Sequence, residues 1–573
     1  MGCWRGSWAL ARAESETVTP ADLLPDRFAR WAGDTRAAFR FVDRPGRPVR
    51  EMSWADFWAA AVATARALDA AGLRQARVGV ACEDTADFVV GLAGALIGGH
   101  AVVPFPVALS RRSAGRARAI AEAARPVAIL VSPGREAPDW VAEPGAREPT
   151  AVVPVARPSG DGAGGWRPPP IAATDLALVQ FSSGSTGTPQ GVGLSHGNVA
   201  TNCAAIATAY GLDSASRGLC WLPLHHDMGL VGHVLTGMWT GGRSTLMDPL
   251  RFLQRPLDWL RLASAERATI TSAPNFAYEI CVKAAEKEDL GDLDLKSITA
   301  AICGGEPVLS RTVRRFLDAF AAAGLSPAAF APSYGLAEAT LLVASGRTAA
   351  GPRFVAAEAS GPPAGPAGEA AGLVADLGSP VDGVDVRIID EAGNEAPEGA
   401  VGEIEVSGAS VGRLIGADGR LAPARPLMTG DLGFLSGGRV HVVGRKKDLI
   451  IVRGQNVHPS DVEAAALEAH RAIVPGGLAA VGVAVDGTEE LAVLVEVDGR
   501  ALSGPDEIGA VRGQVSELVA RRVGVVPAEV VALRPGALPR TSSGKVRRFE
   551  AADLLRAGKL ARVDRRSPAN EPA

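Results

Sequence analysis

Apolar positions recur at helical spacing through SWADFWAAAVATARALDAAG, with Ser53 placed as an N-cap and Gly72 closing the stretch, which predicts a helix over 53–72. The Val-rich RVGVAC that follows predicts a strand. The long apolar run at 86–107 is broken by Gly, His and Pro, so it predicts a buried helix and then a strand instead of a membrane span. The same alternation recurs at 86–104, at 174–181 into 197–209, and at 217–222, 229–246 and 256–271. An alternation of this kind predicts an α/β fold whose sheets are covered by helices on both faces. Two stretches, 133–171 and 346–377, are rich in Pro, Gly, Ala and charge and predict long loops without core elements. After about residue 443 a second unit begins: a helix at 459–470, strands near 478–485 and 490–497, a helix at 505–523 and a basic segment at 540–548. The tail RRSPANEPA predicts disorder, and no repeat of fixed period is present.

With 573 residues the chain calls for one large domain and at least one smaller one. Charged residues are 21% of the chain and the net charge is -4, with no basic excess, which argues against nucleic acid as a partner. The N-terminal MGCWRGSWALARAE lacks the sustained apolar core of a secretory signal, and Gly6 stands where a myristoylation site wants Ser or Thr. Six cysteines, with no CxxC pair, predict neither a zinc site nor a disulfide framework and read as buried thiols of a cytoplasmic protein.

The richest chemistry lies at 180–198, QFSSGSTGTPQGVGLSHGN, where an apolar strand enters a loop of hydroxyl residues and glycines ahead of a helix. Backbone N–H groups and hydroxyls in such a loop can surround phosphate oxygens, although no Gly-Lys-Ser/Thr of the Walker type follows. Gly193-Leu194-Ser195-His196-Gly197 also satisfies the nucleophile-elbow pattern of serine hydrolases. An elbow needs a strand directly before its Ser, and Thr188-Pro189-Gln190-Gly191 leaves little room for one, so Ser195 is expected to cap the following helix. His225, His226, Asp227 and His233 fit no common zinc spacing. Further along stand LPLHHDMGLVGH (222–233), SAPNFAYEICVKA (272–284), CGGEP (303–307), PSYGLAEATLLV (332–343), TGDLGF (429–434), GRKKDLIIVRGQNVHPSDVE (444–463) and LPRTSSGKVRR (538–548).

In the order of these motifs, over about residues 25–555, the sequence resembles the adenylate-forming superfamily of acyl-CoA synthetases, luciferases and peptide-synthetase adenylation domains, and within it the fatty acyl-AMP ligases. The resemblance implies a large N-terminal AMP-binding domain (1–442) of helix-covered sheets with a β-barrel-like subdomain, a hinge at 443–448, and a small mobile α+β domain at 449–573. It implies ATP and Mg²⁺ as cofactors, a fatty or other hydrophobic acid as substrate, and the phosphopantetheine thiol of an acyl carrier protein, or free CoA, as acyl acceptor. Ser182, Ser183, Gly184, Ser185, Thr186 and Gly187 would cover the β- and γ-phosphates, with Gln190 nearby, and Glu338 would hold Mg²⁺. Gly304, Gly305, Glu306, Tyr334 and Gly335 would line the adenine pocket, Asp431 would accept from the ribose hydroxyls, and Arg445 would assist at ribose and phosphate. Lys545 would be the catalytic lysine that bridges the attacking carboxylate and the α-phosphate. Lys447 would be the hinge and Gly454 would border the thiol tunnel. His226 would gate that tunnel and, with Met228, Asn275 and Phe276, border the acyl pocket.

Two departures keep other readings open. Gln190 stands where many superfamily members carry Lys, and it can hydrogen-bond a phosphate without neutralising it. The 346–377 stretch is shorter than the insertion by which fatty acyl-AMP ligases discourage use of CoA. A full acyl-CoA ligase therefore stands as the alternative, with a relative that only binds an acyl-adenylate or only forms the thioester as a further one.

Overall fold

The computed structural model describes residues 23–42, 49–106, 111–136, 138, 151–158, 166–182, 190–356, 373–416, 419–452, 455–485, 488–502, 504, 507–541 and 544–563. Two large sheets dominate the chain up to residue 445. The seven-stranded sheet runs Arg413–Leu414, Gln190–Ser195, Leu176–Ser182, Ala101–Pro104, Arg77–Val80, Ala128–Val131 and Ala151–Pro154. The nine-stranded sheet runs Ser379–Pro380, Leu342–Ser345, Phe330–Gly335, Ala300–Cys303, Ile270–Ala273, Arg217–Cys220, Arg243–Met247, Ala37–Val42 and Arg50–Ser53. From Phe330–Gly335 to Ala37–Val42 its neighbours are parallel. Parallel strands covered on both faces have no wet side, and Ala128–Val131, Ala101–Pro104 and Ile270–Ala273 are accordingly buried at every position.

A four-stranded antiparallel sheet follows, ordered Val384–Ile389, Gly402–Gly408, Leu427–Ser436 and Arg439–Arg445. It alternates as a one-sided sheet must, burying Val384, Val386 and Ile388. One hydrophobic core runs through all three sheets, from Leu23 to Val440. A smaller core, with Val103, Ile129 and Val179, packs the other face of the seven-stranded sheet, and two more lie on either side of a further sheet of Ile473–Val485, Thr488–Val497 and Glu529–Leu533 and draw only on residues from Ile450 onward. The helix expected at 53–72 spans Trp54–Ala70, its Ser53 side chain accepting from the Asp56 N–H.

Several expectations are corrected. Within 133–171, Ala151–Pro154 pairs in parallel with Ala128–Val131 and buries Val153 and Val155; four residues framed by prolines are too short to show a period. Within 346–377, Phe354–Ala356 pairs with Leu373–Ala375, and Ala375 and Leu377 belong to the main core. Glu529–Leu533 and the helix Arg548–Arg556 add two elements that the sequence pattern did not announce. Cys82, Cys203, Cys220, Cys281 and Cys303 are free and buried, as expected. Cys3, the N-terminal segment to residue 22 and the RRSPANEPA tail lie outside the described residues. No helix among the described residues is long and apolar enough to cross a membrane.

Candidate active site

Four neighbouring parallel strands, Arg217–Cys220, Ile270–Ala273, Ala300–Cys303 and Phe330–Gly335, all end at the same side of the nine-stranded sheet. Their carboxyl ends deliver, in turn, His225–Met228, Asn275–Phe276, Gly304–Glu306 and Tyr334–Glu338. In open α/β sheets this is where ligands bind, because the loops there converge while the strands stay rigid.

Gly305 explains how a second element enters. Its φ is +77°, and a Cβ built there would lie 3.1 Å from Lys545 Nζ and 3.7 Å from Met228 Sδ. The lysine arrives from the far end of the chain on a loop fixed by its own backbone. Thr541 N–H donates to the Lys545 carbonyl at 2.7 Å, and Lys545 N–H donates to Thr541 Oγ1 at 3.1 Å. Arg540 braces the loop by donating to the Gly544 carbonyl at 3.1 Å and to Glu496 at 2.9 Å. Burial lowers the Lys545 ammonium from its usual range, opposed by Asp227, Glu306 and Asp431 and reinforced by Arg445.

Asp431 and Arg445 face each other across paired strands. Asp431 is 5% exposed; Arg445 Nε donates to its Oδ1 at 2.9 Å and the Tyr334 hydroxyl to its Oδ2 at 2.7 Å. Each oxygen so retains a free lone pair for another donor. The Asp431 carboxylate holds the Arg445 guanidinium above its usual range, while burial and the same carboxylate push the Tyr334 phenol well up. Glu306 accepts from the Phe276 N–H at 2.6 Å, and burial raises its carboxyl.

Glu338 sits in a short turn, Ala337–Ala339, pinned where the Gly412 N–H donates to its carbonyl at 2.8 Å. Buried Thr340, at φ +70°, follows it and donates to the Ser410 carbonyl at 2.7 Å. A β-branched residue there costs of order 1–3 kcal/mol and is held only by its surroundings. Among the described residues no cluster of three His, Cys, Asp or Glu could hold a metal ion unaided. A single carboxylate is nevertheless the donor set that suits Mg²⁺, which takes its remaining ligands from phosphate and water.

The rings of His225 and His226 lie against each other at a tilt of 40°, 4.6 Å between centroids. Burial lowers both, His225 to about 3, so both rings are neutral near pH 7. Gln180, at the end of the strand before the phosphate-loop segment, donates to the His225 carbonyl at 2.8 Å. Met228 lies by Gly305. Asn275 ties two loops together, accepting from the Leu309 N–H at 3.0 Å. Phe276 lies beneath Gly544 and Gly476 of the C-terminal segment, where a Cβ on either would approach its ring or stem to 2.9 and 3.2 Å. Lys447 is exposed in the turn Lys446–Asp448, directly after the last strand of the four-stranded sheet. Gln190 is exposed and its amide points at the Ile415 carbonyl, 3.4 Å away. The backbone of Ser182 ends a strand opposite Gln190, whereas Ser183, Gly184, Ser185, Thr186, Gly187 and Gly454 lie outside the described residues.

The reading of Ser195 needs one correction. A strand, Gln190–Ser195, does run directly into it, since Leu176–Ser182 supplies a partner for residues too Gly-rich to suggest pairing alone. Its side chain is nevertheless the N-cap of His196–Tyr210 in a closed capping box with Asn198, an unstrained arrangement unlike an elbow. His233, once a conceivable metal ligand, bonds Ser272 at 2.8 Å instead. Sequence reasoning gave no role to Asp227 or to Arg548, which joins Asp448 and Glu463 at 2.9 and 2.7 Å. Both were in view, one beside the His pair and one closing the LPRTSSGKVRR motif.

The model of the AMP-binding enzyme family matches residues 27–414. The long-chain-fatty-acid–AMP ligase FadD26 of Mycobacterium bovis is 33% identical over 579 residues, covering 95% of this chain and 98% of its own. The putative fatty-acid–CoA ligase fadD25 of Mycobacterium tuberculosis is 32% identical, covering 95% and 98%. A structure from the fatty acyl-adenylate ligases of E. coli and L. pneumophila superposes with a TM-score of 0.82 at 28% identity, over 94% of this chain and 98% of that one.

Proposed function

The chain belongs to the AMP-binding enzymes and, within them, to the family of long-chain fatty acid–AMP ligases, and from that premise we propose the reaction and the roles of its residues. The enzyme is an adenylate-forming ligase. A fatty acid carboxylate attacks the α-phosphorus of ATP, the bond to the β-phosphate oxygen breaks, and acyl-AMP and pyrophosphate form. A thiol then attacks the acyl carbon, releasing AMP and leaving a thioester.

The observation that carries this reading is Lys545, seated at Gly305 on the carboxyl ends of the parallel strands, within the field of Asp431 and Arg445. Two anions must be brought together, and one ammonium between them offsets the charge that gathers in the transition state. Asp431 takes the ribose hydroxyls on its free lone pairs, Arg445 supports ribose and phosphate, and Gly304, Gly305, Tyr334 and Gly335 border adenine. Ser182 to Gly187, with Gln190, cover the outer phosphates. Glu338 would hold Mg²⁺, which offsets phosphate charge when bound. His226, kept neutral, gates the thiol path without competing for the anionic substrates. Met228 borders the acyl chain; Phe276, held under Gly544, lies where acyl pocket and Lys545 loop meet.

Residues 1–442, with the four-stranded sheet as the barrel-like part, form the AMP-binding body, 443–448 the hinge at Lys447, and 449–573 the mobile carrier of Lys545. The cores support this division, because none crosses from Val440 to Ile450. The acceptor is the phosphopantetheine thiol of an acyl carrier protein, with Gly454 bordering its path. A CoA-using ligase is the second reading, favoured by the likeness to a putative fatty-acid–CoA ligase.

Incubation with ATP, Mg²⁺ and a panel of fatty and aromatic acids, without thiol, is expected to give acyl-AMP of a fatty acid by mass spectrometry. No adenylate from any acid, with thioester still formed from supplied acyl-AMP, would reject the first half-reaction. Formation of acyl-CoA on addition of CoA would replace the carrier protein as acceptor.

A further inference from the structure

Gln180 is a polar side chain in an otherwise apolar strand. Within Leu176–Ser182, Leu178 joins the main core, while Val179 and Phe181 join the smaller core on the other face of the sheet. Alternation turns Gln180 to the Leu178 side, where it is 2% exposed. Burying an amide is costly unless it is bonded. Its Oε1 has no hydrogen-bond partner among the described residues, whereas its Nε2 donates to the His225 carbonyl at 2.8 Å. A carbonyl only accepts, so the nitrogen is the atom that must face it.

The peptide that joins His225 to His226 is thereby held at both polar ends. Its C=O accepts from Gln180, and its N–H, that of His226, donates to the Pro223 carbonyl at 3.1 Å. The next peptide is held as well, because the His226 carbonyl accepts from the Leu230 N–H at 2.8 Å. The turn folds back so closely that a Cβ on Gly229 would come within 2.7 Å of the Pro223 carbonyl oxygen. These backbone bonds are local to the turn. The bond from Gln180 instead reaches it from the seven-stranded sheet, on the strand that ends at Ser182. A planar peptide that rotates reorients the side chains on both sides of it, so this bond fixes the two neighbouring rings.

We propose that Gln180 is a positioning residue for the thiol gate. Its amide N–H orients the His225–His226 peptide, and with it the His226 ring, from the strand that leads into the phosphate loop. The inference rests on the gating role given to His226 above. It assigns Gln180 to the thioester half-reaction and gives it no share in binding ATP.

The full chain is compared as wild type, Q180M and Q180E. Methionine keeps the length of the side chain and removes the donor; glutamate donates only when protonated. Diethyl pyrocarbonate modifies neutral imidazoles, and its attachment to each histidine is read by mass spectrometry, which needs no activity. Modification of His225 and His226 is expected to be about tenfold faster in Q180M, the scale of one buried carbonyl left unpaired. His233, buried and bonded to Ser272, is the internal control and stays unchanged. With supplied acyl-AMP, Q180M lowers kcat/KM for the thiol by a similar factor, while the KM for ATP in adenylate formation stays within about twofold of the wild type. In Q180E, burial raises the introduced carboxyl, so protection and thioester formation return, relative to Q180M, as pH falls from about 8 to about 6. The titratable and charged groups on the elements around it are His225, His226 and Asp227 in the turn and Glu338 in Ala337–Ala339, with Arg116 and Lys545 acting on the His pair. Equal modification of the His pair in Q180M and wild type overturns the proposal, as does a loss confined to adenylate formation. Should His233 quicken as well, Q180E decides: protection that does not return at low pH overturns the proposal. Faster modification of the His pair with unchanged thioester formation upholds the hold on the peptide and rejects the gate assigned to His226.

Discussion

In the roles proposed above, single side chains at this site divide the work between holding the nucleotide and moving charge. Tyr334, on Phe330–Gly335, and Arg445, on Arg439–Arg445, both donate to the carboxylate of Asp431, on Leu427–Ser436, so three strands are joined at this point before any ligand arrives. Lys545 is fixed only by its backbone turn and by the field around it. Replacing Lys545 with Ala should therefore leave the nucleotide-binding set intact while slowing acyl-AMP formation by about 10²–10³-fold, the scale of losing one preorganised electrostatic group. Thioester formation from supplied acyl-AMP should persist near the wild-type rate in a single-turnover assay. Equal loss in both steps would contradict the division.

At the scale of elements, the strand–helix unit Gln190–Tyr210 shows what one motif can and cannot settle. Ser195 caps the helix and, among the described residues, reaches no base, so Ser195→Ala should cost about 1 kcal/mol in unfolding free energy, measured by urea titration, and leave adenylation unchanged. The cap was legible in the sequence because Ser, Asn and the helical period stand at fixed spacing, as was the helix Trp54–Ala70 from its stripe and Ser53. The strand Gln190–Ser195 was not, because glycines at 191 and 193 hide its pairing with the preceding strand, Leu176–Ser182. Ala151–Pro154 was hidden for a similar reason: an edge strand four residues long takes its register from its neighbour. For the site, Gly305, Asp431 and Lys545 could be named from motif order. The contact of Gly544 with Phe276 depends on loops brought together by tertiary packing, which no local period encodes.

At the scale of the whole molecule, polar contacts join the part up to Arg445 to the part from Ile450 onward. Arg311, on the helix Ser310–Phe320, reaches Glu468 at 3.3 Å, and Glu468 also binds Arg522 at 2.7 Å. Lys283 donates to the Ile473 carbonyl. Partly exposed ion pairs such as these contribute less than about 1 kcal/mol each. Glu468→Gln should slow acyl-AMP formation about two- to fivefold and leave thioester formation from supplied acyl-AMP unchanged; raising salt should mimic it in the wild type. A substitution without effect on either step would remove Glu468 from the closure. The placement of Lys545 has a consequence during synthesis. The loops that face the nucleotide, from His226 to Arg445, leave the ribosome well before the lysine does. On the role proposed for Lys545, a nascent chain turns over ATP about 10²–10³-fold more slowly, the loss expected for Lys545→Ala, until the lysine has emerged and its loop has closed on Thr541.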